Sequence, residues 1–558
     1  MKLQRTPQFQ LISLFVQATL ALALLLLGLN WLSANLGSNS NDVRAISAEA
    51  NSVALVLTQE PPQLDSSRAT DAVSGMVLGH VMEGLLRMGQ DDRLEAAVAE
   101  RWEVTPDRVT FWLRPDARWS DGQPITAADF IFAWQTALKP TTGSEYAFLL
   151  FSIKHAEAIN RGERPASDLG VSAPTPQQLV IELERPVPFF DKIVVFPVFL
   201  PIREDFYLAT QGRFGADAQD LLYSGPFVIT EWIHGASLRL ERNPHYWNQQ
   251  DIHLQRIDFP YITSDKTASL NFFKDERIAT TGLITENLNE AMRLGWAINQ
   301  HQDGTLFYVE FNHRSGSPLA NLNLRRAIQY SLDMDELVNR VIKLPGYQSG
   351  VSLFPRWLMG VDSPLREEYP PTRITPDPVK AQAYLEQALA ELGMDALPEL
   401  VLLAGDNPSA SIQSEWLQEA LKKRLGISIR IDKQIFKQRL AKMTSGDFDM
   451  VLAGWGPDYN DPLTFGDLFA SWNLNNRGRY ADDELDGLIA EAQNSVDPAT
   501  RMRAFGDIQD LVTQKAVILP MYERGITYVV NPRLVDIKRR VIGPDPDLTR
   551  ARILPEES

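Results

Sequence analysis

Cysteine is absent from the 558 residues of this chain. The protein therefore has no disulfide, no thiol nucleophile and no cysteine-ligated zinc or iron–sulfur cluster. A lipid attached to a cysteine near the N-terminus is excluded for the same reason. Histidine is scarce, with seven residues, and no two of them stand four apart as a helical metal site requires. The sequence thus predicts no metal site and no cofactor.

Motifs for nucleotide binding and nucleophilic catalysis are missing as well. The chain has no Gly-x-Ser-x-Gly elbow, no Gly-x-x-x-x-Gly-Lys-Ser/Thr loop and no Gly-x-Gly-x-x-Gly at the start of a helix. Acidic residues are plentiful, but no two of them are marked out as a glycosidase pair. An excess of basic residues is also absent: the net charge is -17, which argues against a nucleic-acid ligand.

The composition is that of an ordinary globular protein, with 44% hydrophobic and 22% charged residues. A chain of 558 residues is too long for a single hydrophobic core, so we expect two to four domains.

Residues 11–32 form a long apolar run without charge, preceded by Lys2 and Arg5. The run is long enough to span a bilayer, and it could be either a signal peptide or an uncleaved anchor. Leu32-Ser33-Ala34 does not fit the small-x-small cleavage pattern, which favours an anchor with the body outside the cytoplasm. The polar residues 37–42 are typical of a linker, so residues 1–50 are assigned to this leader and its linker.

Alternating strands and helices are clearest near the C-terminal end. Residues 400–404 and 427–431 read as strands, separated by an amphipathic helix over 411–425. A second helix, 436–444, precedes a buried strand over 448–455. This order predicts a parallel sheet, with Asp458 beyond the carboxyl end of the last strand, where ligands bind in such sheets. Earlier in the chain, apolar residues at every fourth position predict a helix over 71–88.

Several segments, taken in order, resemble one known family. They are Val81-Met82-Glu83-Gly84-Leu85-Leu86, RPDARWSDGQPITAADFIFAWQ (114–135), YSGPF (223–227), NPHYWN (243–248), FNHRSGSPLANLNLRRAIQYSLDMDEL (311–337) and GWGPDYNDPLTF (454–465). Each is weak alone, but together they make residues 52–549 similar to the extracytoplasmic oligopeptide-binding proteins of bacterial ABC importers. The branch that binds short peptides and the murein tripeptide is the most similar.

The resemblance implies an α/β fold like that of periplasmic binding proteins, with two lobes, mixed sheets and an additional third domain. Lobe I would comprise residues 51–72, 198–305 and 521–558, lobe II residues 73–197, and lobe III residues 306–520. The ligand cleft would lie between lobes I and III.

The resemblance also implies the site residues. Asp458 matches the acid that pairs with the α-ammonium of the peptide, although a cap for the following helix is an alternative for it. The other matched positions are Gly454, Trp455 and Gly456 as a main-chain edge, Glu60, Ser224 and Gly225 in lobe I, and the pocket aromatics Tyr146 and Tyr522.

The resemblance does not extend to the residues that would hold the carboxylate end of the peptide. Relatives that bind short peptides carry basic side chains at positions matched by Ala410, Met443 and Leu452, none of which is charged. Longer peptides, a carboxylate held by Arg439 or Lys442, and a different cargo remain open.

The expected function is a monomeric receptor that captures extended peptides and delivers them to the permease subunits of an ABC transporter. It would be periplasmic, with no enzymatic activity, and would contact the membrane only if its N-terminal segment is retained. Two alternatives are a tethered sensor or scaffold of the same fold and an extracytoplasmic hydrolase.

Overall fold

The structure, a computed structural model, describes residues 43–555. Its strands are β1 Ile46–Ser47, β2 Ser52–Leu57, β3 Leu86–Met88, β4 Leu94–Ala96, β5 Ala99–Val104, β6 Arg108–Leu113, β7 Val171–Thr175, β8 Gln178–Glu182, β9 Phe227–Ile233, β10 Ser237–Arg242, β11 Arg256–Ile262, β12 Thr280–Gly282, β13 Asn299–Phe311, β14 Gln348–Ser349, β15 Leu400–Gly405, β16 Ile429–Gln434, β17 Met450–Trp455, β18 Ile518–Val530, β19 Leu534–Val535 and β20 Arg552–Ile553.

Helices connect these strands. The α-helices are Ala72–Val81, Ala127–Leu138, Ala156–Asn160, Phe190–Ile193, Glu204–Ala209, Lys266–Lys274, Thr285–Arg293, Leu322–Ser331, Met334–Glu336, Leu365–Glu368, Pro378–Leu392, Pro408–Leu425, Phe436–Ser445, Leu463–Gly466, Asp483–Asn494 and Pro498–Gln514. A π-helix, Leu337–Ile342, continues one of them. Short 3-10 turns occupy Pro140–Thr142, Ala147–Leu150, Ala166–Asp168, Pro197–Phe199, Ala218–Asp220, Gln249–Asp251 and Pro318–Ala320.

The first sheet has five strands in the order β1-β2-β11-β10-β9. Its pairs are antiparallel apart from β2 with β11, which is parallel. Five of the six residues of β2 are buried, and all but Ser52 are apolar, as expected for a strand covered on both faces.

The second sheet is antiparallel, in the order β5-β6-β8-β7. Helix Ala127–Leu138 contacts β7 and buries Phe130 and Trp134. Trp134 packs edge-to-face on Phe199, with ring centroids 5.7 Å apart. Aromatic rings thus supply much of the core formed by this sheet and the segments between its strands (residues 99–182), which we call the second-sheet unit.

The third sheet has the order β12-β18-β13-β17-β15-β16, with β14 also paired to β18. Strands β16, β15 and β17 are mutually parallel, as predicted, while β13 and β18 run antiparallel. The predicted limit of lobe III after residue 520 falls inside β18, so the division into lobes stays a prediction.

The helix predicted over 71–88 is shorter in the structure. Asp71 caps it by accepting hydrogen bonds from the backbone N–H groups of Val73 and Ser74, but it ends at Val81. The chain becomes extended at Met82, and Leu86–Met88 pairs with Leu94–Ala96 as a hairpin. Tertiary pairing overrides the apolar repeat there.

Between residues 43 and 555, no helix combines the length and apolar character needed to cross a bilayer. The predicted leader at 11–32 lies outside the described residues.

Candidate functional site

A cavity of about 770 Å³ lies where the first, second and third sheets meet. One wall comes from residues between 69 and 90, and another from residues between 540 and 550. Tyr146, Phe196, Gly456 and Asp458 close it on the remaining side. Large pockets where several units meet are the usual location of ligand sites.

Asp458 stands in the loop just beyond β17. Its backbone N–H donates to Thr464 Oγ1 at 3.0 Å, which fixes the loop. The hydroxyl of Tyr146, from the second-sheet unit, donates to Asp458 Oδ1 at 3.5 Å. Burial raises the pKa of Asp458 to about 7, and the Tyr146 hydrogen bond acts in the opposite direction without cancelling that rise. The carboxyl group thus lies in a desolvated position with little to stabilise its charge.

The other charged side chains that line the cavity have partners. Arg524 donates to Asp303, and Arg540 donates to Asp547. Further contacts are Arg87 with Glu83, Arg550 with Glu95 and Asp251, Arg539 with the lining residue Asp545, and the helix cap made by Asp71. Among residues 43–555, no cation lies within ion-pair distance of Asp458. The cavity therefore holds one uncompensated acid.

Strand β17 has an open edge next to Asp458. On one side it pairs with β13 along its whole length, from Leu306↔Trp455 to Phe311↔Met450. On the other side it pairs with β15 only at Leu402↔Met450 and Leu403↔Val451. Beyond Val451 the two parallel strands separate, which leaves the main chain of residues 453–455 unpaired by any described strand on that side. An exposed strand edge of this kind can accept another chain by main-chain hydrogen bonding.

Gly454 and Gly456 lie at this edge. Both residues are exposed, and Trp455 between them is half-buried. A Cβ on Gly454 would come within 3.0 Å of the Phe307 ring, and one on Gly456 would lie 3.6 Å from Thr305 Oγ1. Substitution of Gly454 would therefore press on β13.

Arg439 occupies the gap where β15 and β17 separate. Its Nη1 donates to the carbonyl oxygen of Leu452 at 3.2 Å and lies 3.8 Å from where a Cβ on Gly405 would be. Its Nε is buried without a hydrogen-bond partner, and burial lowers the pKa of Arg439. No carboxylate of the described residues makes an ion pair with it.

Lys442 is already engaged. Its Nζ lies 2.6 Å from Asp432 and 2.9 Å from Asp447, so its charge is compensated within the chain. The positions Ala410, Met443 and Leu452 carry no cation, as the sequence indicates.

Of the predicted site residues, Asp458, Tyr146 and Gly456 line the cavity together. Ser224 and Gly225 lie beneath its wall. Ser224 Oγ accepts from the Glu83 N–H at 2.8 Å, and the Gly225 N–H donates to the Val81 carbonyl at 2.9 Å. Both residues therefore hold the segment 81–83, of which Met82 and Glu83 line the cavity.

Glu60 and Tyr522 lie outside the cavity lining. The carboxylate of Glu60 accepts from Trp232 Nε1 at 3.2 Å and from the Gly235 N–H at 2.9 Å, and it contacts His234 Nδ1 at 2.6 Å. Tyr522 is buried in the third sheet, where its ring stacks on Phe307 at 4.9 Å and its hydroxyl donates to Gln413.

Sequence reasoning missed the cavity wall formed by residues 540–550 and the pair of Asp303 with Arg524. Asp303 and Arg524 stand 221 residues apart in the chain, and Nε of the arginine donates to the aspartate at 2.6 Å. No local pattern marks such a pair, because only the pairing of β13 with β18 brings the two together.

A family model for bacterial extracellular solute-binding proteins, family 5, matches residues 93–476. The chain belongs to this family of binding proteins, as the resemblance predicted.

Among its relatives, the oligopeptide-binding protein OppA of Bacillus subtilis is 30% identical over 488 residues, covering 85% of this chain and 88% of OppA. The dipeptide-binding protein DppE of the same organism is 29% identical, over 87% of this chain and 89% of DppE.

Solved structures agree with the fold. The substrate-binding domain of an oligopeptide ABC transporter from Bacillus anthracis superposes with a TM-score of 0.78 and 31% identity, covering 91% of this chain and 100% of that chain. OppA of Listeria monocytogenes bound to peptide gives 0.78 at 25% identity, over 91% and 100% of the two chains. The predicted binding-protein fold with mixed sheets is confirmed.

Proposed function

We propose that this protein captures peptides in an extended conformation outside the cytoplasm and delivers them to the permease of an ABC importer. The observation that carries the proposal is Asp458, an uncompensated and desolvated carboxylate at the end of an open strand edge. Relatives described as oligopeptide- and dipeptide-binding proteins support the same ligand class.

The α-ammonium of the peptide binds Asp458. A charge-assisted hydrogen bond in a desolvated site is roughly twice as strong as a neutral one. Binding supplies the cation that the cavity lacks, and it draws the carboxyl group into its ionised form. In the complex, the Tyr146 hydroxyl continues to donate to Asp458 Oδ1 beside the ammonium of the peptide.

The main chain of the peptide pairs with residues 453–455 of β17. Such strand addition takes its affinity from main-chain hydrogen bonds, and side chains of the ligand matter less. Gly454 and Gly456 allow close approach because they present no side chain to the ligand. A receptor built this way tolerates many peptide sequences.

The carboxylate of the peptide binds near Arg439, with Lys442 excluded because it already pairs with two acids. Arg439 lies beside β17, where it donates to the carbonyl oxygen of Leu452, two residues before Gly454. The N-terminus of helix Pro408–Leu425 follows Gly405 and adds its positive end to the same place. A guanidinium fork suits a carboxylate better than an isolated ammonium does.

The protein acts as a binding protein without catalytic activity, and as a monomer. Membership in a family of extracellular solute-binding proteins supports this role. Retention of residues 11–32 would tether it to the membrane, and N-terminal sequencing of the mature protein tests that point.

The direct test is native mass spectrometry of the full chain with a set of tri- to hexapeptides of alanine and lysine, each with a free and an N-acetylated amino terminus. We expect one-to-one complexes with the free-amine peptides and much weaker ones with the acetylated peptides. If no peptide of the set binds, the proposed function is wrong.

A further inference from the structure

The one-turn helix Phe190–Ile193 is attached to the second-sheet unit by two of its side chains. Phe190 packs edge-to-face on Phe199, with ring centroids 6.1 Å apart. Asp191 accepts a hydrogen bond from Trp102 Nε1, on β5, at 3.4 Å. These contacts fix the helix as a part of that unit.

The neighbouring residues, Phe189 and Lys192, contact the third-sheet unit, by which we mean strands β13 to β18 and the segments between them (residues 299–530). The Phe189 ring stacks on Tyr459, with centroids 5.9 Å apart and planes 10° from parallel. Lys192 Nζ lies 3.6 Å from Asp461 Oδ2. Tyr459 and Asp461 belong to the loop that carries Asp458, so both contacts bear on the site.

On the far side, Arg501 holds the same loop. From helix Pro498–Gln514 its Nη1 and Nη2 donate to the two oxygens of Asp461 at 2.6 and 2.5 Å, and its guanidinium lies 4.5 Å from the centre of the Phe189 ring. Burial alone would raise the pKa of Asp461, yet the charge of Arg501 holds that pKa below its ordinary value. Because Asp461 keeps this partner, the loop does not need Lys192 in order to fold.

We propose that Phe189 and Lys192 form a latch that holds the second-sheet and third-sheet units together over the bound ligand. The inference rests on the proposed function, because the latched loop supplies the acceptor for the ligand's ammonium. Opening the cleft between these units would break the Phe189–Tyr459 stack and expose the buried Asp461 carboxylate. Ligand and latch therefore stabilise the same closed state, and each strengthens the other.

The test compares dissociation rates in stopped-flow experiments. It uses the full-length protein, the tightest-binding free-amine peptide of the set above, and the variants Lys192→Met and Phe189→Leu. Loss of the half-exposed Lys192 charge beside Asp461 should speed peptide release about 2- to 5-fold, because Arg501 still compensates the acid. Loss of the aromatic pair should speed it about 3- to 10-fold. Association rates should change little, because the open state that receives the peptide lacks the latch.

Lys154→Met is the matched control. Lys154 lies on the same unit and pairs with Glu182 at 2.9 Å, away from the third sheet. It should release peptide at the wild-type rate. If both latch variants release peptide at the wild-type rate, the latch proposal is wrong.

A second measurement follows the cleft itself. The chain has no cysteine, so Glu163→Cys and Glu419→Cys place two spin labels on exposed positions of the two units without further changes. At equal peptide occupancy, Lys192→Met and Phe189→Leu should shift the label distances toward longer values. Distances identical to wild type would contradict the latch, whereas absence of peptide binding by the wild type would contradict the proposed function instead.

Discussion

The hydroxyl of Tyr146 donates to Oδ1 of Asp458 at 3.5 Å, and the two residues stand 312 positions apart in the chain. This hydrogen bond crosses from the second-sheet unit to the loop beyond β17. A contact this long is weak, so Asp458 keeps most of its capacity to bind a cation. The site is thus assembled by the approach of two units, with its acid left available to a ligand.

Asp458→Asn should weaken binding of free-amine peptides by about 2–5 kcal/mol, because it removes the partner of a buried ammonium. Binding of N-acetylated peptides should change little. Isothermal titration calorimetry with both peptide forms measures the difference. Asp395→Asn, at an exposed acid, is the control and should bind like wild type. Equal losses for the free and the acetylated peptide would rule out the role given to Asp458.

Peptide affinity should depend on pH near neutrality. Burial raises the pKa of Asp458 to about 7. The carboxyl of Asp467, at the C-terminal end of helix Leu463–Gly466 that follows the loop, has its pKa raised to about 7 by burial and by the charge of Asp458. The two acids therefore titrate as a pair, with Arg185 the cation that opposes the rise for Asp467. Protonation removes the acceptor, so affinity for free-amine peptides should fall as the pH drops from 8 to 6.

Tyr146→Phe sharpens that pH test. The tyrosine hydrogen bond lowers the pKa of Asp458, so its loss should move the midpoint of the affinity curve to higher pH. Calorimetry across pH 5.5–8.5 measures both curves. A flat affinity profile in the wild type would show that neither acid holds the ligand.

Stability should vary with pH in the opposite sense to affinity. The pKa of Asp458 is higher in the folded state, about 7, than the ordinary 3.8, so the folded state binds more protons between those values. The free energy of unfolding without ligand should therefore decrease as the pH rises through that window. Asp458→Asn removes this cost, up to about 4 kcal/mol above pH 7.

Urea denaturation of the ligand-free protein checks this prediction. Asp458→Asn should stabilise the protein at pH 8 and have almost no effect at pH 4. A variant destabilised at pH 8 would show that the Asp458 side chain stabilises the folded structure and is not kept for the ligand.

Arg439→Gln should reduce the preference for a free peptide carboxylate over a carboxamide. Removal of one member of a desolvated charge pair costs about 2–5 kcal/mol, and only the free-acid peptide should lose it. Calorimetry with acid and amide forms of one peptide gives the ratio. Lys442→Gln is the control, because Lys442 pairs with Asp432 and Asp447. If the wild-type protein binds the acid and the amide peptide equally, the peptide carboxylate does not bind at Arg439.

Glu60→Ala should lower stability and leave the discrimination between free and acetylated peptides unchanged. The substitution leaves the buried Trp232 Nε1 without its acceptor, at a cost of about 1–3 kcal/mol, whereas the exposed Gly235 N–H can bind water instead. Denaturation and calorimetry separate the two effects, with Glu49→Ala, at an exposed position, as the control. Lost peptide affinity at unchanged stability would instead make Glu60 a ligand contact.

Much of the third sheet could be predicted from the sequence. The strands near 400, 429 and 450 and the helices between them follow from periodicity, and their parallel pairing follows from short right-handed connections. The prediction of a helix over 71–88 was wrong in its second half, because that part forms a hairpin and lies against the Ser224-Gly225 turn. An apolar repeat cannot report a partner more than a hundred residues away.

The sequence by itself excluded cysteine chemistry, argued against a nucleic-acid ligand through its net charge of -17, and placed an acid just beyond a buried strand. Those properties are local or additive along the chain, so they follow from the sequence without knowledge of the tertiary structure. Only the tertiary structure decided which residues are free to bind. Glu60, Lys442 and Asp458 are all charged in the sequence, but the first two have close hydrogen-bond or ion-pair partners within the described part of the chain, while the Asp458 carboxylate has only the 3.5 Å contact with Tyr146. Whether a charge is compensated depends on distance and burial, and long-range packing sets both.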